Sequence, residues 1–137
     1  MSDEQVDQNT AVIDEFRSND GAVGGPFDGV PLLLLHHTGA RSGTAYVTPL
    51  SCLVVGDGWV VAGGNGGQPT NPAWYFNLLA QPRTKVEFGS ATYEVTARVV
   101  EGAERDALVA RFRAESPFYP GIEKATSRTV PLVVLEP

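Results

Sequence analysis

Glycine and proline set the outer limit on what this chain can become. Fifteen glycines and ten prolines are spread through 137 residues, and the longest apolar run they leave is Val30 to Leu35. That spacing suits short strands joined by tight turns better than it suits a helix bundle. Such a run is also far too short to span a bilayer. A chain of this length accommodates one domain with one core, and apolar residues, at 42% of the total, suffice to close it.

Along the chain, residues 1–20 carry six acids and one arginine, with sparse apolar positions at Val6, Val12, Ile13 and Phe16. This segment reads as an acidic N-terminal helix or flexible arm. Its charge is the opposite of a signal peptide's start, so the expected location is cytoplasmic. Gly21 to Gly29 is a glycine-rich connection. Pro31 to Thr38 reads as a buried strand, Gly39 to Gly43 as a turn, and Ala45 to Val55 as a β run in which Pro49 marks a bulge or an edge. Gly56-Asp57-Gly58 signals a hairpin into Trp59 to Ala62. Four glycines in five positions make Gly63 to Gly67 a loop. Asn71 as N-cap and Pro72 at the first helical position predict a helix that Pro82 stops. Thr84 to Phe88 and Ala91 to Val100 flank a second hairpin at Gly89-Ser90. Ala103 to Arg113 is predicted helical, Ser116 to Thr126 irregular, and Val130 to Leu135 a closing strand. The order predicts a mainly β, α+β fold, with a barrel or curled sheet as a single domain over residues 21–137.

Sixteen acidic residues against ten basic give a net charge of -6. Nucleic-acid binders gain affinity by neutralising phosphates, so that partner is disfavoured. Between Ser18 and Pro82 the one basic residue is Arg41, inside the Gly39–Gly43 turn. A lone cation there is either a phosphate or carboxylate clamp or an exposed loop charge, and charge alone leaves both open. Cys52, the single cysteine, rules out an internal disulfide and a thiolate zinc cage, and its strand-like setting makes it a buried, inert thiol. His36 and His37 are adjacent on a strand and point to opposite faces, one into the barrel and one outward. They cannot ligate one metal, and no metal site is expected.

Several familiar chemistries fail on spacing. Gly64-Asn65-Gly66 lacks the third glycine of a dinucleotide fingerprint, and the helix begins only after Asn71. Gly39-Ala40-Arg41-Ser42-Gly43 has the serine one place too late for a nucleophile elbow. What survives is a set of backbone donors. The Gly39 to Gly43 turn offers a nest for an anion, with Arg41 to add charge. The Gly63 to Gly67 loop leaves room for a flat ring to approach its backbone. Trp74 and Tyr75 follow on the capped helix, with Trp74 expected to line a cleft there and not to sit wholly in the core.

The stretches Thr38-Gly39-Ala40-Arg41-Ser42-Gly43, Thr48-Pro49-Leu50, Asn71-Pro72-Ala73-Trp74-Tyr75-Phe76-Asn77-Leu78 and Arg128-Thr129-Val130-Pro131 occur in this order over Gly24 to Pro137. In them the chain resembles the deazaflavin-dependent nitroreductases and quinone reductases of actinobacteria. The resemblance implies a split β-barrel of the FMN-binding type. It also implies a bound 8-hydroxy-5-deazaflavin coenzyme with a phospholactyl-oligoglutamate tail, whose reduced form donates a hydride to a quinone, enone or nitroaromatic acceptor.

The same resemblance implies phosphate contacts at Ala40, Arg41 and Ser42, and lining from Tyr46, Val47, Thr48, Pro49, Leu50 and Ser51. Ring contacts are implied at Ala62, Gly63, Gly64 and Asn65, and at Ala73, Trp74, Tyr75, Phe76 and Asn77. Tyr119 is the implied catalytic residue near the reacting face. Partners would be a small-molecule acceptor, a membrane touched only peripherally through quinone substrates, and at most a second copy, as monomer or homodimer. The chain departs from the family at His36 and His37, where threonines are usual, at Tyr46, often Arg, and at Asn65, commonly Lys or Arg. Of the acceptor-site tyrosine cluster only Tyr119 remains, flanked by Ser116 and Ile122. A non-catalytic split-barrel module holding a flavin, haem or apolar ligand is the competing expectation.

Overall fold

Strand pairing follows the turns that the sequence marks. The computed structural model describes residues 3–137, with side chains from residue 9 onward. Met1, Ser2 and the Val6 side chain of the expected N-terminal segment lie outside the described residues. In chain order the elements are α1 (Asp3–Ser18), β1 (Leu32–Thr38), β2 (Ala45–Ser51), β3 (Leu53–Val55), β4 (Gly58–Ala62), α2 (Ala73–Ala80), β5 (Arg83–Phe88), β6 (Ala91–Val99), α3 (Gly102–Glu115), α4 (Tyr119–Ala125) and β7 (Leu132–Glu136).

All strand pairs are antiparallel, in the order β2-β1-β5-β6-β7-β4-β3. The two edge strands are consecutive in the chain and separated by Cys52 alone. One extended run, residues 45–55, therefore lies along both edges of the sheet. Its first part pairs with β1 and its last part with β4. The sheet must curl to allow this, and it closes into a barrel split alongside β2, the mainly β architecture with helices that the sequence predicts. The Cys52 N–H donates to the Pro31 carbonyl at 3.0 Å, which fixes the point where the run changes partners. Pro49 lies on edge strand β2, where a missing N–H is tolerated.

Burial explains why β1 and β7 read as unbroken apolar runs. In β1, Leu33 and Leu35 face the barrel interior with Trp59, Val86 and Val133, while Leu32 and Leu34 face α1 with Phe16. In β7, Val133 and Leu135 fill the barrel, and Leu132 and Val134 pack under α3 and α4 with Phe112 and Tyr119. Strands covered on both faces have no polar side to alternate with. The hairpins turn at Gly56-Asp57 and Gly89-Ser90, with Gly56 and Gly89 at φ 59° and 61°, a region that favours glycine.

Residues 119–125, expected to be irregular, are helical. Pro120 lies in the first turn, where it needs no N–H donor, and the Ser116 Oγ accepts from the N–H groups of Phe118 and Tyr119, each at 3.2 Å. α1 is held to the sheet by Phe16, 1% exposed, and by Arg17, which forms a two-pronged pair with Glu87 at 3.1 and 2.7 Å.

Cys52 is buried, and burial pushes its thiol up to about 12. A thiol-reactive chromogenic disulfide should leave the native protein unlabelled at pH 8 and modify one thiol in denaturant. Rapid labelling of the folded protein would show that the run is open where it changes partners.

Candidate active site

At the tip of the β1–β2 hairpin, the glycine turn spends most of its donors on itself and on α2. The Gly39 N–H donates to the Thr44 carbonyl at 2.8 Å and the Gly43 N–H to the Gly39 carbonyl at 2.9 Å. The Ala40 N–H donates to the Asn77 Oδ1 at 3.0 Å, and the Thr44 N–H to the Ser42 Oγ at 3.2 Å. The amides of Arg41 and Ser42 have no partner among the described residues. The Arg41 side chain is exposed and forms no ion pair among them. Two unpartnered amides beside an unpaired guanidinium are donors available to an anion. The expected nest thus narrows to Arg41 and Ser42, since the Ala40 amide is already engaged.

Behind the turn runs a buried polar chain. His37, 7% exposed, stacks on the Tyr46 ring with centroids 5.4 Å apart. Its Nε2 lies 2.8 Å from the Thr48 Oγ1, and its Nδ1 lies 2.9 Å from the Asn77 Nδ2. Burial, with His36 beside it, pushes the His37 pKa down to about 4, so the ring is neutral at physiological pH. His36 points the opposite way and meets the Glu87 carboxylate at 2.8 Å. The two faces are those expected from strand geometry.

The pleat divides the predicted β2 lining. Tyr46, Thr48 and Leu50 lie on the barrel side, where Leu50 packs against the core, whereas Val47 packs beneath α1, and Pro49 and Ser51 share its face by alternation. On α2, Ala73 is exposed, Phe76 is half exposed, and Tyr75 is partly buried against the barrel core.

Three expectations about this region give way to packing. Trp74 does not stay outside the core: it is 6% exposed in the barrel interior, because the apolar face of α2 packs against β1 and joins the core through Trp74 and Leu78. Tyr119, expected near the reacting face, is 2% exposed and packs on Phe112 with ring centroids 5.2 Å apart. Its ring is packed into the core beneath α3 and α4. Asn71 is not the N-cap. Pro72 takes that place, and the Asn71 Oδ1 instead accepts from the Arg128 Nη1 at 2.6 Å.

The second glycine loop is also occupied by the protein itself. A Cβ at Gly63 would lie 2.8 Å from the Pro131 Cγ, one at Gly64 2.6 Å from the Ile122 Cδ1, and one at Gly67 2.5 Å from the Ala125 Cβ. These glycines admit α4 and Pro131, so the room expected for a flat ring is filled at Gly63 and Gly64. Arg128 anchors the loop by donating to the carbonyls of Gly63, Gly64 and Gln68 at 3.0, 2.9 and 3.0 Å. Asn65 turns its Nδ2 inward to the Thr70 carbonyl at 3.0 Å, and Ala62 packs against the core under α3.

Sequence reasoning assigned no site role to Arg128, to the His37–Asn77 link, or to an open groove of about 920 Å³ across the ends of β1, β2, β5 and β6, which His37 also borders. His36, Arg83, Lys85 and Glu94 line this groove, and Tyr46 and Val47 are the only predicted site residues that border it. The Arg83 and Lys85 charges are unpaired among the described residues. The only advance signal was that these two cations are two residues apart on one strand.

Two measurements test this wiring. Lysine cannot reproduce the fork of Arg128, so Arg128→Lys should leave loop carbonyls unpaired and lower urea stability by about 1–3 kcal/mol. Unchanged stability would show the loop to be held by packing alone. For His37, the unfolded ring protonates near its ordinary value of 6.5 and the folded ring only near 4. Between those values the unfolded chain binds more protons, so acidification from 6.5 toward 4 should cost up to about 3 kcal/mol of stability through this group. The difference between wild type and His37→Gln should shrink over that window, and a pH-independent difference would contradict the assignment.

A family model described as F420H(2)-dependent quinone reductase matches residues 9–137. An F420H(2)-dependent quinone reductase of Mycobacterium tuberculosis is 33% identical over 126 residues, covering 88% of this chain and 83% of the relative. A solved structure described as an F420-H2 dependent reductase, FDR-A, superposes with a TM-score of 0.70 at 32% identity, covering 77% of this chain and 94% of its own. Another, described as a domain-swapped dimer, gives a TM-score of 0.72 at 30% identity, covering 97% and 98%. With a match across nearly its whole length, the chain belongs to the F420H(2)-dependent quinone reductase family.

Proposed function

We propose that this protein orients the reduced 8-hydroxy-5-deazaflavin coenzyme and passes its hydride to a quinone in the cytoplasm. The observation that carries the reading is the pair of unpartnered amides at Arg41 and Ser42 beside the exposed Arg41 side chain. That donor set suits the phosphate of a phospholactyl-oligoglutamate tail. Tyr46 on β2 and Ala73 and Phe76 on α2 are exposed, largely apolar side chains suited to a planar ring. The fit is good at the anionic end and sparser elsewhere, since Tyr46 and Asn65 supply no positive charge.

When bound, the reduced deazaflavin supplies the hydride, and a quinone that gains this hydride and a proton leaves as the hydroquinone. The protein's own contribution is placement. Arg41 and Ser42 hold the anionic end, and Tyr46, backed by His37, offers a flat face. His37 supplies no proton, because both ring nitrogens are engaged and burial keeps it neutral.

Family membership weighs against the competing reading as a binding module without turnover. A homodimer is the assembly we favour, supported by the domain-swapped neighbour. Contact with a membrane would be peripheral, through lipid-soluble quinones. Among the described residues no helix is long and apolar enough to cross a membrane.

A charge-assisted hydrogen bond contributes about 1.5–3 kcal/mol, so Arg41→Ala should weaken deazaflavin binding roughly tenfold to somewhat over a hundredfold. The loss should shrink as salt rises, and Arg41→Lys should recover part of the affinity. Fluorescence titration of the cofactor, with quinone-dependent oxidation of its reduced form, measures both. A folded Arg41→Ala protein with unchanged affinity would show Arg41 to be a solvated loop charge.

A further inference from the structure

The amide of Asn77 has only one orientation compatible with its neighbours. Its Oδ1 faces the Ala40 N–H at 3.0 Å, so its Nδ2 must face His37, whose Nδ1 lies 2.9 Å away. A donor pointing at Nδ1 requires a bare lone pair there, which places the ring proton on Nε2. That proton then points at the Thr48 Oγ1, 2.8 Å away. Each assignment forces the next. His37 and Asn77 are both 7% exposed, so a flipped amide would bury a donor–donor contact at the Ala40 N–H and, in this tautomer, an acceptor–acceptor contact at the His37 Nδ1, with little water to relieve them.

We propose that His37 and Asn77 are positioning residues that hold the Gly39–Gly43 turn in its anion-accepting conformation, with Thr48 accepting the hydrogen bond of the His37 Nε2–H. The proposal rests on reading that turn as the phosphate site. Neither residue meets the anion. Asn77 acts by fixing the Ala40 peptide, which leaves the next two amides, Arg41 and Ser42, as the unpartnered ones. His37 acts by fixing Asn77. Remove the acceptor at Nδ1 and the carboxamide is free to rotate, the Ala40 N–H loses its partner, and the two unpartnered amides are no longer held in place. A ring that merely filled a polar gap in the core would affect stability and leave anion affinity alone.

Nitrogen-detected NMR of the free protein gives the first test. The His37 imidazole should show a protonated Nε2 and a bare Nδ1 at pH 7, and the opposite tautomer would overturn the proposal, because Asn77 could not then serve Ala40. Titration with inorganic phosphate, read at the Arg41 and Ser42 amides, gives the second. His37→Leu should expose the Ala40 amide to rapid hydrogen exchange and weaken phosphate binding about tenfold, the loss of one hydrogen bond's worth of order. His37→Gln, whose carbonyl can accept from Asn77, should restore most of both. Should His37→Leu fail to fold, Thr48→Val should move the same two readouts in the same direction by less. Normal exchange and affinity in the folded leucine variant, or in the valine variant if that is the one that folds, would overturn the inference alone. A wild-type protein whose Arg41 and Ser42 amides ignore phosphate would overturn the phosphate-site reading, and the inference with it.

Discussion

One covalent constraint organises the molecule: the two edges of its sheet are the same stretch of chain. Because residues 45–55 pair with β1 at one end and with β4 at the other, the sheet cannot lie open, and the curl closes around Leu33, Leu35, Val61, Val86, Val133 and Leu135. The closure is incomplete beside β2, whose far edge has no strand partner. α2 packs against β1 and lends Trp74 and Leu78 to the core. The glycine turn at the start of β2 is therefore held close to the first turns of α2, which is where a ligand-holding surface can form without loosening the barrel.

The polar groups that decide the site are few, and nearly all are already engaged with one another. Arg128 satisfies the carbonyls of the second glycine loop, and Asn77 satisfies the amide of Ala40. Buried polar groups left unpaired would cost more than these bonds contribute net, so the networks specify the loop conformations more than they add stability. What remains free at the turn is the pair of amides flanking the one arginine, and that remainder carries the functional reading. On the opposite face, Glu87 accepts from both Arg17 and His36, and the Arg17 guanidinium in particular holds its carboxyl below the usual range. This links α1 to the sheet without involving the turn.

The parts of the fold legible in the sequence were those fixed by near neighbours. Hairpins at Gly56-Asp57 and Gly89-Ser90, the unbroken apolar run of β1 and the edge placement of Pro49 all follow from local chemistry and the two-residue period of a strand. The errors concern partners distant in the chain. Asn71 has the sequence of an N-cap, but Arg128, 57 positions later, takes its carboxamide. Gly63 and Gly64 were read as room for a ligand, yet the chain's own Pro131 and Ile122 fill that room. Trp74 and Tyr119 were placed by resemblance near the cofactor and acceptor, and their burial is decided by helices whose packing no local pattern reveals. Family resemblance identified the turn, the strand and the helix correctly as neighbours, while the division of labour among their atoms needed the structure.

The central claim is that the phosphate of the coenzyme sits on the amides of Arg41 and Ser42. A crystal structure of the protein with the oxidised deazaflavin coenzyme tests it most directly. The account predicts phosphate oxygens within hydrogen-bond distance of both amides and of the Arg41 guanidinium, with the ring lying toward Tyr46 and Phe76. Phosphate bound instead at Arg83 and Lys85, at the β5 side of the groove, with the glycine turn empty, would contradict it.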